Sequence, residues 1–319
     1  MLDITCLGEL LTDMISTTPD ASLAEAVSFT KSPGGAPANV ACGAARLGMR
    51  AAFLGMVGAD PFGDYLKRVV ADVGVDVSGL CQTDDVRTTL AFIATRRDGR
   101  KDVTFFPKAG ADTRYAPECV DEGLIRQSRV FHFGSISLRH EPSRSGTLHA
   151  LKVAREAGCL VAYDPNFRPA LWDDHEEARR WMLFGLGLAD VVKIADEEWE
   201  MATGTGSHEA GAAEVLSQGP RLLVVTQAER GACWYSRDHS GHVDACPVTV
   251  VDPLGAGDAF TAALVKGLLD SGAEGIPSES QMRRILTYAN AAGALTTQKV
   301  GVIPSLPTWA EVEAFAAQG

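Results

Sequence analysis

A chain of 319 residues with 46% hydrophobic and 22% charged residues has the balance of a soluble globular protein and the apolar content for a large core. Its formal charge of -12 argues against nucleic acid or an anionic membrane as a partner. Seven cysteines without a C-x-x-C pair or zinc-ligand spacing read as reduced thiols, and Asp3, Glu9 and Asp13 interrupt the first apolar run, so a cytoplasmic protein without a signal peptide is expected.

Residues 3–8 read as a buried first strand ending at a glycine. Asp13 follows inside Leu10-Leu11-Thr12-Asp13-Met14-Ile15, an acid in an otherwise apolar segment. A buried carboxylate requires hydrogen-bond partners. Asp13 is therefore either exposed on an edge strand or an acceptor for the hydroxyls of a polyol. Next comes Ser32-Pro33-Gly34-Gly35-Ala36-Pro37-Ala38-Asn39, in which two glycines open the backbone and Pro37 suits the first turn of a helix over 38–47. Asn39 is a poor helix former one turn inside, which suggests a side-chain task, although a plain turn-to-helix junction also fits.

From residue 51 strands (51–57, 129–133, 160–163, 190–194, 222–226) alternate with helices (62–73, 143–157, 176–188, 197–202, 209–216). Such alternation predicts an α/β fold, with a mainly parallel sheet covered by helices on both faces. Two regions break the rhythm. Residues 11–31 and 77–106 hold short alternating segments (77–80, 88–95, 102–106) and turn signals such as Asp98-Gly99, with no helix between them. They predict a small β-sheet projecting as a lid, built from about 11–31 and 77–110 within one domain spanning 1–319.

The chemistry concentrates in Val251-Asp252-Pro253-Leu254-Gly255-Ala256-Gly257-Asp258-Ala259-Phe260. Residues 248–251 read as a strand, and Phe260, Ala263, Leu264, Gly267 and Leu268 carry helical periodicity, so the glycines fall in a strand-to-helix turn. A helix start offers unpaired N–H groups and a positive dipole end, and glycines let an anion come close. Asp258 beside that N–H cluster is either a helix cap or a general base that deprotonates a hydroxyl while the N–H groups receive phosphoryl charge. The chain has no G-x-x-x-x-G-K-[ST] loop, and Gly185-Leu186-Gly187 and Gly204-Thr205-Gly206 lie outside a dinucleotide fingerprint. The 255–258 turn is thus the expected phosphate site.

Gly34-Gly35-Ala36-Pro37-Ala38-Asn39 together with Gly255-Ala256-Gly257-Asp258 resembles the paired signatures of the ribokinase-like (PfkB) carbohydrate kinase family. The stretches at 6–13, 131–138, Asp164-Pro165-Asn166-Phe167-Arg168 and 302–307 are similar to fructokinases within it, and the likeness runs in order to about residue 312. The resemblance implies a three-layer ribokinase-like sandwich that transfers the γ-phosphoryl group of ATP, with Mg²⁺, to a sugar hydroxyl. Fructose, giving fructose 6-phosphate, is the first expectation. 2-Keto-3-deoxygluconate, ribose or a riboside are the alternatives, and a catalytically silent sugar-binding regulator is a further one.

By match to the family motifs, Asp258 is the base and the amides of Gly255, Ala256 and Gly257 form the anion hole. Asp13, Gly34, Gly35, Asn39, Phe106 and Arg168 are implied on the sugar; Asn166, Lys193, Glu198, Thr226, Gly231 and Asn290 are implied on the nucleotide. Glu198 is the acidic end of an Asn-x-x-Glu motif tied to Mg²⁺ and phosphate through water, but Ala195 replaces its Asn, and Lys193 is expected to supply charge instead. Asp252, with groups near Ser305, corresponds to a monovalent-cation (K⁺) site of many relatives. Further departures are Pro253 and Leu254 for the usual threonines, Ala228 for a nucleotide-loop glycine, and Pro107 for a lid arginine. Open lid edges and apolar residues such as Phe92 and Ile93 suggest a homodimer joined through the lids.

Overall fold

The computed structural model describes residues 1–317 apart from 98, 99, 169, 170, 173 and 274, with Lys101 described by its backbone alone. The turn signal Asp98-Gly99 lies outside the described residues. Apolar, β-branched runs form the centre of a nine-stranded sheet: β1 (Leu2–Leu7), β4 (Ala51–Gly58), β5 (Leu80–Thr83), β8 (Ser128–Gly134), β9 (Leu160–Asp164), β10 (Val191–Ala195), β11 (Leu222–Thr226), β12 (Ala232–Ser236) and β13 (Ser240–Val243). Their order is β13-β12-β11-β10-β9-β8-β1-β4-β5. All pairings are parallel except at the edge made by β12 and β13.

Successive residues of these strands enter opposite cores, as a strand buried on both faces requires. Cys6, Phe53, Val191 and Leu222 face one layer, and Leu7, Leu54, Val192 and Leu223 the other. The first layer is closed by α1 (Ala36–Arg46), α2 (Pro61–Asp72), α8 (Ala256–Asp270), α9 (Glu279–Thr296), α10 (Val302–Ser305) and α11 (Trp309–Ala316). The second is closed by α3 (Glu122–Arg126), α4 (Ser143–Glu156), α5 (His175–Gly187), α6 (Asp196–Thr203) and α7 (His208–Ser217). This is the three-layer α/β architecture that the alternation predicts. Among the described residues no helix is long and apolar enough to cross a membrane.

The lid is a separate four-stranded sheet of order β3-β2-β6-β7, made of β2 (Leu11–Ser16), β3 (Phe29–Gly34), β6 (Leu90–Thr95) and β7 (Lys101–Phe106). Two expectations require correction. The 77–80 segment does not join the lid: β5 pairs with β4, Gly55 opposite Leu80, because Leu80 is buried in the main core. Nor is 248–251 a strand, since residues 244–250 are irregular. Val250 and Val251 stay 56% and 58% exposed, and Val251 and Asp252 instead donate backbone N–H bonds to Thr297 O just beyond α9. The β12–β13 hairpin already occupies that sheet edge, so the β-branched run has no strand to pair with.

Candidate active site

Parallel strands place their carboxyl ends on one edge of the sheet, and the crevice there, where the strand order reverses, is where α/β folds bind ligands. The chain leaves β1 toward β4 on one side and β8 on the other. Glu9, Asp164 and Thr226 lie at or just past the carboxyl ends of β1, β9 and β11, and Lys193 lies within β10 two residues before its end. The lid strands β2 and β3 begin and end above this edge, and α1 and α8 start there.

Gly255 caps α8 at φ 80°, and a methyl group added to it would lie 2.3 Å from Val302 Cγ1. Left-handed backbone and close contact both require glycine here. The first amides of α8 have no partner within the helix, which makes the turn an anion cradle. Asp258, 6% exposed, sits in that first turn. Its Oδ2 accepts a 2.8 Å bond from Asn39 Nδ2 on α1, and its Oδ1 a 3.3 Å bond from Asn166 Nδ2 after β9. Burial pushes Asp258 up to about 6, opposed by the Asn39 bond and by the Lys193 and Arg168 charges, while Asp164 adds to the rise. A carboxylate in that range is suited to a base near neutral pH.

Beneath the cradle, Lys193 Nζ bonds Asp164 Oδ2 at 3.0 Å, with both residues at most 5% exposed. A methyl group added to Gly257 would lie 3.0 Å from that ammonium, so the cation lies close under the anion cradle. Burial alone would favour the neutral amine, but Asp164, Glu198 and Asp258 surround Lys193 and hold its pKa above the usual lysine value. Thr261 ties Asp164 to α8: its Oγ1 lies 3.5 Å from Asp164 Oδ2 and donates to Gly257 O at 2.9 Å.

On the lid side, Asp13 faces the crevice, where burial lifts it to about 7 against the pull of Arg168. A methyl group on Gly34 would lie 2.5 Å from Asp13 Oδ2, and one on Gly35, at φ 115°, 2.3 Å from Glu9 O. Glycine at both positions lets the two turns close on each other. Arg168 is exposed at the mouth, where its charge acts on Asp13, Glu9 and Asp258. Phe106 is a correction. Register pairs Asp13 with Ala91, and Ala91 with Phe105, so Phe105 shares the face of Asp13. Phe106 points the other way, 58% exposed, its ring edge-on to Phe92. One step along a strand reverses the face.

The nucleotide-side residues divide. Glu198 accepts backbone N–H bonds from Phe167 and Ala195, so both carboxylate oxygens are engaged in shaping the 167 loop and the start of α6. Asn290 donates to Val243 O at 3.2 Å and Asp244 O at 2.9 Å, which makes it a clamp on the irregular segment rather than a free amide. Gly231, at φ 92°, and Thr226 bracket the loop after β11, and Gln227 N donates to Gly231 O at 2.7 Å. Asp252 Oδ2 accepts Gly301 N–H at 3.0 Å, and Ser305 Oγ donates to Gly301 O at 2.5 Å. Both therefore converge on the backbone of Gly301. A cavity of about 310 Å³ lies at the opposite edge, among Arg129, Leu160, Val191 and Leu222, and includes none of these groups.

A sequence profile of the pfkB family carbohydrate kinases matches residues 1–309. The chain belongs to that family. It is 43% identical to fructokinase-1 of Zea mays over 97% of this chain and 96% of that one. Its fold superposes on a fructokinase from Xylella fastidiosa with bound ATP at a TM-score of 0.90, with 32% identity over 99% and 98% of the two chains. A fructokinase double mutant from Vibrio cholerae O395, in a form with fructose, ADP and potassium bound, superposes at 0.87 with 33% identity over 99% and 98%.

The departures of this pfkB kinase from its family pattern now have physical readings. Ala228, where the family usually has glycine, takes left-handed backbone at φ 49°, a conformation costing an L-residue about 1–2 kcal/mol. Ala195 leaves its backbone N–H to Glu198, bonded at 3.2 Å. Pro253 removes an N–H ahead of the cradle, where the next donor, Leu254 N, is already turned onto Asp252 Oδ1 at 3.1 Å. Glu9 and Asp164 were not among the assigned site residues. Both are buried acids at the end of apolar strands, the same signal that singled out Asp13.

Proposed function

We propose that this kinase transfers the γ-phosphoryl group of ATP to a hydroxyl of fructose, giving fructose 6-phosphate and ADP. The observation that carries the reading is a buried, doubly hydrogen-bonded Asp258 in the first turn of a helix whose free amides and underlying Lys193 favour negative charge. Asp258 takes the proton of the acceptor hydroxyl. The alkoxide forms the new O–P bond as the bond from Pγ to the β-phosphate oxygen breaks, and charge on the transferring group meets the amides of Gly255, Ala256 and Gly257. Asp13, Gly34, Gly35 and Asn39 hold the sugar, with Arg168 at its mouth, and the 226–231 loop holds the nucleotide.

Among the described residues no cluster of three or more His, Cys, Asp or Glu could cage a metal. Mg²⁺ would arrive on the ATP phosphates with most of its waters, and Glu198, whose oxygens accept backbone N–H bonds, would meet it through water. The ion supplies charge neutralisation of the phosphates. The Asp252 and Ser305 oxygens fit a K⁺ ion beside the cradle.

A coupled assay for ADP across a sugar panel tests the reading, with fructose expected to give the highest kcat/KM. No sugar-dependent ADP from any member would leave a binding protein. The base must be ionised to work and burial has raised its pKa, so kcat/KM should fall about tenfold per unit below about pH 6. A profile flat from pH 5 to 7 would remove Asp258 from the rate-determining chemistry. The outer lid face carries an aromatic row, Phe29–Phe92–Phe106, and Phe106 is exposed. These support a homodimer through the lids, to be seen as twice the chain mass in light scattering; a monomer mass at assay concentration would reject it.

A further inference from the structure

Asn166 is one of three non-glycine residues with positive φ among those described, at 45°. Such a backbone is stored strain unless its surroundings demand it. The demand is visible. Asp164 Oδ1 accepts Asn166 N–H at 3.2 Å, Pro165 O accepts Ser135 N–H at 3.2 Å, and Phe167 N–H is held by Glu198. The other oxygen of Asp164 holds Lys193. One carboxylate thus anchors both the cation beneath the cradle and the loop that carries Asn166.

What that loop delivers is an amide. Asn166 Nδ2 reaches Asp258 Oδ1, opposite the Asn39 Nδ2 that reaches Oδ2, and turning either amide over would set oxygen against oxygen. The two orientations leave Asn39 Oδ1 and Asn166 Oδ1 buried without partners, beside the carboxylate. Those are the acceptors an incoming hydroxyl would meet. We propose that Asn166, anchored by Asp164, is a positioning residue that fixes the Asp258 carboxylate toward the acceptor hydroxyl, and is not a nucleotide contact. The proposal rests on the kinase reading above.

The competing account is local: Asp164-Pro165-Asn166 is an Asx turn, and asparagine merely tolerates left-handed backbone there. Glycine tolerates it better. Asn166→Gly therefore keeps or improves the turn while deleting the amide. Positioning predicts a fall in kcat of about 10- to 100-fold, with KM for fructose and for ATP within about threefold of the parent and a cooperative melt well above the assay temperature. A kcat within twofold of the parent overturns it, as does an ATP KM raised tenfold with kcat kept, which would return Asn166 to the nucleotide.

Asn166→Asp provides a second reading if the glycine variant folds poorly. It keeps shape but sets a carboxylate against Asp258, which already faces Asp164, Lys193 and Arg168. The acid limb of its pH profile should move upward; an unmoved limb with full activity overturns the proposal. Asp258→Asn is the control. If it is inactive while Asn166→Gly is fully active, positioning alone fails; if Asp258→Asn is itself fully active, the kinase chemistry fails with it.

Discussion

Replacing Asp258 by Asn is expected to lower kcat by at least about 10²-fold, with KM for sugar and ATP changed little. The substitution keeps shape and leaves the amides of the α8 start in place, so the phosphate cradle survives. It removes the one carboxylate in the cradle, bonded by Asn39 and Asn166. The new side-chain amide places one N–H against a donor, which either neighbour relieves by rotating its own amide to present its unpartnered Oδ1. Stability should therefore hold or rise. Asp258 has a folded pKa raised to about 6 from 3.8, so the native state binds its proton more tightly than the unfolded chain. Between about pH 4 and 6 this group's contribution falls as pH rises, and at pH 7 the ionised form is a net burden that Asn does not carry. Steady-state kinetics with thermal melts check both halves: near-parental turnover, or a fold lost at neutral pH, contradicts this account.

The largest effect on stability is expected from Lys193→Met. The ammonium is 5% exposed, 3.0 Å from Asp164, itself 2% exposed, with Glu198 close enough to raise the lysine pKa further. Deleting one member of a buried pair strands the other, typically at about 3–5 kcal/mol. That is a large part of the roughly 5–15 kcal/mol that holds a domain together. Urea denaturation should show a clearly lower midpoint. Adding Asp164→Asn removes the stranded charge and should recover most of the loss without restoring turnover, because the cation beneath the cradle is gone and the Asn166 anchor is changed. A single Lys193→Met variant as stable as the parent would mean that Asp164 is readily protonated or rehydrated when alone.

Much of this was legible in the chain. Alternating apolar runs and helical periodicities set the three layers, because a strand buried on both faces and a helix buried on one leave different spacings of apolar residues. The glycine turn before Asp258 and the Gly34-Gly35 turn could be read because left-handed φ and close backbone approach exclude other residues, as the 2.3 Å contacts at Gly255 and Gly35 confirm. Local chemistry of that kind survives in sequence. What did not survive was anything that depends on which neighbour a segment finds. Residues 248–251 have strand composition but meet α9 rather than a strand, and the 77–80 region meets β4 rather than the lid. Phe106 against Phe105 turned on a single step of register. The partners of buried charge were equally invisible: Asn39 and Asn166 are 127 positions apart, and only packing brings their amides to the two oxygens of one carboxylate. Sequence determined which residues had to be buried, turned or charged; the tertiary structure alone decided which of them share a hydrogen bond, because the energy of a buried polar group depends on the partner it reaches.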